Sequence, residues 1–182
     1  MLRRHFFSNL LSFLSIPFVS VKKQKQVGFV LFGEDKYFFD AITNEIFKIE
    51  RASGTAEWFL NGKCHRIDGP AVEQVNGHKE WWLNGKRHRT DGPAVEFSNG
   101  SKGWFLNGSR HREDGPAIEQ ADGSKKWYLK GLRHREDGPA IELADGSKYW
   151  YLNGNLHRVD GPAVKLVSGM KEYWINGICQ SK

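Results

Sequence analysis

From Trp58 to Glu172 apolar and polar residues alternate over short stretches, and Asn-Gly or Asp-Gly pairs interrupt the alternation at fixed intervals. No window of this region places apolar residues at helical spacing, and period-two alternation between glycine-bearing turns predicts short strands. The pattern recurs every 23 residues without insertion, giving five units such as WFLNGKCHRIDGPAVEQVNGHKE and WWLNGKRHRTDGPAVEFSNGSKG. Tyr173-Trp174-Ile175-Asn176-Gly177 opens a sixth unit, and Ile49-Glu50 with Ser53-Gly54 stand upstream in register as a degenerate half-unit. Self-similarity at such a period is the signature of a repeat architecture.

Two turns punctuate each unit. One is Asn76-Gly77, Asn99-Gly100, Asp122-Gly123 or Asp145-Gly146; the other is Asn61-Gly62, Asn84-Gly85, Asn107-Gly108 or Asn153-Gly154, with Lys130-Gly131 the departure. Asn, Asp and Gly accept positive φ, so both turns read as two-residue hairpin loops. With that register Val95 falls opposite Trp104, Ala94 opposite Phe105 and Pro93 opposite Leu106. Pro93, Val95, Trp104 and Leu106 then share a face, expected to be the packed one, and Trp104 falls opposite His111 across the second turn. The other face would carry Ala94, Glu96, Ser101, Ser124 and a column of second aromatics: Phe59, Trp82, Phe105, Tyr128, Tyr151 and Trp174.

The expected fold is all-β, an elongated antiparallel β-hairpin repeat array with a short N-terminal apolar segment. Residues 1–26 form a basic and apolar targeting or anchor segment, 27–57 a strand cap, 58–172 the five repeats and 173–182 a half-repeat cap. Within the first cap, strands are expected at Val27–Phe32, Lys36–Phe39 and Glu45–Glu50, protecting the open first edge of the sheet.

The 23-residue period, the run Asn84-Gly85-Lys86-Arg87-His88 and the Asp-Gly turn resemble MORN repeats over roughly two-thirds of the chain. That resemblance implies a twisted antiparallel β-meander and a scaffolding or membrane-associated role. MORN units usually carry Gly directly after the His and again two residues on, and a Tyr-x-Gly-x-Trp strand. Here Arg-x-Asp-Gly-Pro follows the His, which marks a variant class.

Composition adjusts this picture in three places. Aromatics are 13% of the chain and glycines number 20, in keeping with short strands and many tight turns. The net charge of +6 is uneven: residues 1–33 contribute +5, residues 34–57 contribute −3, and the array 58–172 only +3. A nearly balanced array does not favour nucleic acid as a partner. Cys64 and Cys179 occupy one column of the repeat at opposite ends of the array, too far apart for a disulfide.

Each unit also carries His-Arg-x-Asp-Gly-Pro: His65–Pro70, His88–Pro93, His111–Pro116, His134–Pro139 and His157–Pro162. His with Asp three residues on invites a catalytic reading, a hydrolase being that alternative. The residue types argue instead for a structural turn, with Asp accepting backbone N–H groups, Pro directing the following strand, and His packed opposite Trp and tied to the Asp. A catalytic site needs one asymmetric constellation rather than five copies. Equivalent His residues two strands apart, roughly 9–10 Å, cannot share one ion. No cofactor or metal is therefore expected, and catalysis is not.

At the N-terminus Arg3-Arg4-His5-Phe6-Phe7 leads into an uncharged run from Phe6 to Val21, followed by Lys22-Lys23-Gln24-Lys25. As a helix the run would span about 24 Å, slightly short of a bilayer core, and Pro17 interrupts it. A twin-arginine export signal, an organellar presequence, a membrane anchor and an element docked on the array all fit, so membrane association or export is favoured over a cytoplasmic location.

The functional expectation is a non-catalytic scaffold or binding module whose contact surface is the six-ring column. Its partner would be a protein or an extended polymer such as a polysaccharide, with a membrane possible through residues 3–25 and oligomerisation possible through sheet edges. A membrane-associated scaffold is the alternative. The column could also pack against the sheet's own curvature or a second chain.

Overall fold

A computed structural model describes residues 27–43 and 45–180, and the basic and apolar segment 1–26 lies outside them. No helix occurs among the described residues; all regular structure is strand and turn. The chain opens with β1 (Val27–Phe32), β2 (Asp35–Asp40), β3 (Ile46–Glu50) and β4 (Ala56–Leu60), each pairing antiparallel with the next. Every repeat then adds two short strands to one long sheet, for example Val95–Glu96 and Lys102–Gly103. It also adds a marginal hairpin such as Phe105–Leu106 with Ser109–Arg110. The result is an all-β antiparallel meander in which spatial order follows chain order.

The marginal hairpins turn through two residues at positive φ, such as Asn107 (52°) and Gly108 (88°), as the Asn-Gly pairs predict. Phe105 then faces Arg110, and the His111 N–H reaches the Trp104 carbonyl at 3.1 Å, so the expected Trp104–His111 pairing holds. The other turn differs from expectation. Phe97 N–H bonds the Ser101 carbonyl at 2.9 Å and Gly100 N–H bonds the Phe97 carbonyl at 2.9 Å. Only Gly100 has positive φ (86°), and Asn99 instead accepts the Ser101 N–H at its side-chain oxygen, 3.0 Å. This is a three-residue loop with a glycine bulge, which also suits the strand twist.

One extra loop residue shifts the register by one and exchanges faces. Val95 pairs with Gly103, not Trp104, and Glu96 pairs with Lys102. Val95 therefore lies on the face of the six-ring column, while Ala94 and Glu96 join Trp104 on the other. The half-unit upstream makes the same loop: Arg51 N–H bonds Thr55 O and Gly54 N–H bonds Arg51 O, both at 2.8 Å, with Gly54 at φ 79°.

A long sheet with no covering layer among the described residues has little interior. Among the described residues the most buried are Ala71, Ala94, Ala117, Ala140 and Ala163, all at 0% exposure, and Val95 is the largest fully buried side chain. The strands at 27–50 extend the sheet beyond the first repeat; β1 has no further strand beside it among the described residues, and Phe29 is 57% and Phe32 79% exposed.

Candidate functional site

The structure brings the six predicted rings into one column, Phe59 within β4 and the other five each two residues beyond a central strand. Phe59, Trp82, Phe105, Tyr151 and Trp174 are half-buried, whereas Tyr128 is buried at 8% exposure. Ser124 and Ser147 lie on the same face and tie neighbouring units: their hydroxyls accept the N–H of Ala144 (3.0 Å) and Val167 (3.1 Å).

Opposite each ring, across the Asn-Gly turn, stand Cys64, Arg87, Arg110, Arg133, Leu156 and Cys179. The three arginines interleave with the rings. The Arg87 guanidinium lies 5.1 Å from the Trp82 centroid and 5.6 Å from Phe105, and Arg110 lies 5.9 Å from Phe105 and 5.4 Å from Tyr128. Arg133 lies 5.2 Å from Tyr151. Such pairs are attractive through the ring quadrupole and hold the long side chains in place. This arginine column is missing from the sequence-derived set. The signal was present, because the two-residue turn that places Trp104 opposite His111 also places Phe105 opposite Arg110.

Glu80 anchors one end of the column. Its carboxylate accepts from His78 Nε2 (3.0 Å), Trp82 Nε1 (2.7 Å) and Arg87 (3.0 Å to Oε1). Burial pushes the Glu80 carboxyl up, but the donors Arg87, His78 and Trp82 outweigh it and leave it below the usual range. At the same end, burial pushes the Cys64 thiol up to about 11, an unreactive state near neutral pH.

The opposite face corrects the expectation of a packed Trp/Leu side. Trp58, Trp81, Trp104, Trp127 and Trp150 are half-buried, and each carries a stacked guanidinium at 4.0 to 4.2 Å from its centroid: Arg66, Arg89, Arg112, Arg135 and Arg158. Arg112 Nε also donates to Asp114 (2.9 Å), and its Nη1 to the Pro116 carbonyl (3.3 Å) and Glu119 (3.0 Å). The guanidinium crosses Gly115 closely: a Cβ there would sit 3.0 Å from Arg112 Cζ, so the arginine would have to shift. Between successive boxes lie shallow grooves of 430 to 750 Å³, lined by groups such as Trp104, Leu106, His111, Asp91 and Asp114.

His is not tied to the Asp of its own box, which Arg holds. Instead His65, His88, His111, His134 and His157 each accept at Nδ1 the backbone N–H of the turn residue one unit on: Asn84, Asn107, Lys130, Asn153 and Asn176, at 3.1 to 3.2 Å. Among the described residues no three His, Cys, Asp or Glu side chains converge as a metal site would require, and no helix is long and apolar enough to cross a membrane.

No family model matches the chain, and no curated protein is significantly similar to it. The hairpin meander is consistent with a MORN-like repeat, which is as far as the likeness extends.

Proposed function

We propose that the chain is a non-catalytic binding module whose contact surface is the column Phe59, Trp82, Phe105, Tyr128, Tyr151 and Trp174, with Arg87, Arg110 and Arg133 set between the rings. The observation that carries this reading is the periodicity of that ladder: a ring recurs at each unit, half-buried in all but Tyr128, and three guanidiniums stand between the middle rings, on a sheet face with no covering layer among the described residues. Repeated aromatic surface left partly open to solvent marks an interaction site. The same His and Asp contacts recur in every box, as a structural role predicts, which argues in the same direction. The resemblance to scaffolding repeats also agrees with it.

Binding spread over equivalent rings should fall modestly with single Ala substitutions and steeply with several. The test is a screen of the chain and of its Trp82→Ser, Phe105→Ser, Tyr128→Ser triple variant against glycan, liposome and protein panels. The triple variant is expected to lose the interaction that the natural chain shows. Survival of every interaction in that variant would return the column to a purely structural role.

A further inference from the structure

Carboxylates stand at both ends of the arginine ladder and none in its middle. Arg87 is answered by Glu80, and at the far end Glu172 accepts the Trp174 Nε1–H at 2.9 Å. Between them the same column holds Gly103, Lys126 and Tyr149, so the sheet sets no carboxylate beside Arg110 or Arg133. Arg110 is exposed and meets only the rings of Phe105 and Tyr128. Arg133 is exposed too and donates to the Tyr128 and Tyr151 hydroxyls, both at 3.4 Å. Neither arginine has a carboxylate partner among the described residues. Lys126 adds charge to the same face, with the turn residue Asp122 near it.

We propose that the Arg110–Arg133 segment binds an acidic linear polysaccharide bearing one carboxylate per disaccharide, each guanidinium taking one carboxylate while the sugars rest along Phe105 and Tyr151, on either side of the buried Tyr128. This rests on the binding-module reading above and names its ligand. Equivalent guanidiniums are one unit apart, two strands or roughly 9–10 Å, a step comparable to that of a disaccharide. Each strand of a nucleic-acid duplex carries a charge about every 3.4 Å along the axis, which would leave most phosphates unanswered while Glu80 and Glu172 close both ends. An extended acidic peptide repeats its side chains on one face every ~6.5–7 Å and falls out of step. Guanidinium is the cation whose fork matches a carboxylate, and rings that already hold it reduce the freedom lost on binding.

The experiment is calorimetric titration of the chain with a hyaluronan decasaccharide, with neutral cellohexaose and with a twelve-nucleotide oligo(dT). Hyaluronan is expected to bind roughly tenfold more tightly than either, and Arg110→Gln with Arg133→Gln to remove about that factor at an unchanged circular dichroism spectrum. Arg110→Lys with Arg133→Lys, which keeps charge and length but not the fork, is expected to lose a smaller part. Equal affinity for cellohexaose, tighter binding of oligo(dT), or indifference to both arginine pairs overturns the proposal. If no sugar binds while the three-ring variant loses another partner, this proposal falls and the binding-module reading stands. If the three-ring variant keeps every interaction, both fall.

Discussion

At the residue scale the His-Arg-x-Asp-Gly-Pro box divides its labour in a way the spelling of the motif conceals. Arg stacks on Trp and binds Asp, Gly makes room for the guanidinium, and His reaches forward to the next unit. Asp68, Asp91, Asp114, Asp137 and Asp160 are held below the ordinary value of 3.8, first by the hydrogen bond from their arginine. A lowered carboxyl favours the folded state above 3.8, and that contribution is lost as pH falls through the folded value. These carboxylates are 78% to 84% exposed, so each contribution is small. Carboxyl carbon shifts followed by NMR should show midpoints below 3.8, and Arg112→Gln should move Asp114 alone back towards it. His111→Ala removes the acceptor for the Lys130 N–H and should cost about 1–2 kcal/mol in urea unfolding. Any binding activity should survive, because four other copies of the box remain.

At the element scale the two turns look alike in sequence but are built differently. The marginal turns need positive φ at both positions, and Lys130 sustains it at 50° where every other unit has Asn. A left-handed Lys is strained, while Asn tolerates that region. Lys130→Asn should therefore stabilise the chain by roughly 0.5–1 kcal/mol, seen as a higher urea midpoint at unchanged m. The central turns need positive φ only at Gly, since Asn99 and Asp122 cap the loop through their side chains. Both loop lengths are compatible with an Asn-Gly or Asp-Gly pair, so the spelling did not decide between them. The marginal register was legible and the central one was not.

At the scale of the molecule each unit bonds mainly to its neighbours, through the sheet ladder, the His clasp and the Ser clasp. Stability in such arrays is close to a sum of unit and interface terms. Deleting residues 104–126, one whole unit, should leave a folded β-protein with a lower urea midpoint, checked by far-UV circular dichroism and denaturant titration. An insoluble or unfolded product would show that the units are not interchangeable. Gly115→Val should do more damage than that deletion, since it drives a branched side chain into the Arg112 guanidinium and the turn it braces.

What the sequence determined by itself is the architecture: the period, the all-β class, the Asn-Gly hairpins and the membership of the six-ring column. These follow from local chemistry, namely which residues accept positive φ and where apolar residues alternate. Tertiary structure decided what depends on a count of loop residues or on a partner from another unit. One added residue in the central loop moved Val95 to the ring face and Ala94 to the Trp face. Packing between units gave His its backbone N–H partner and set Arg110 between Phe105 and Tyr128. Contacts between residues 18 to 23 positions apart arise only when successive units lie side by side, and no local propensity encodes them.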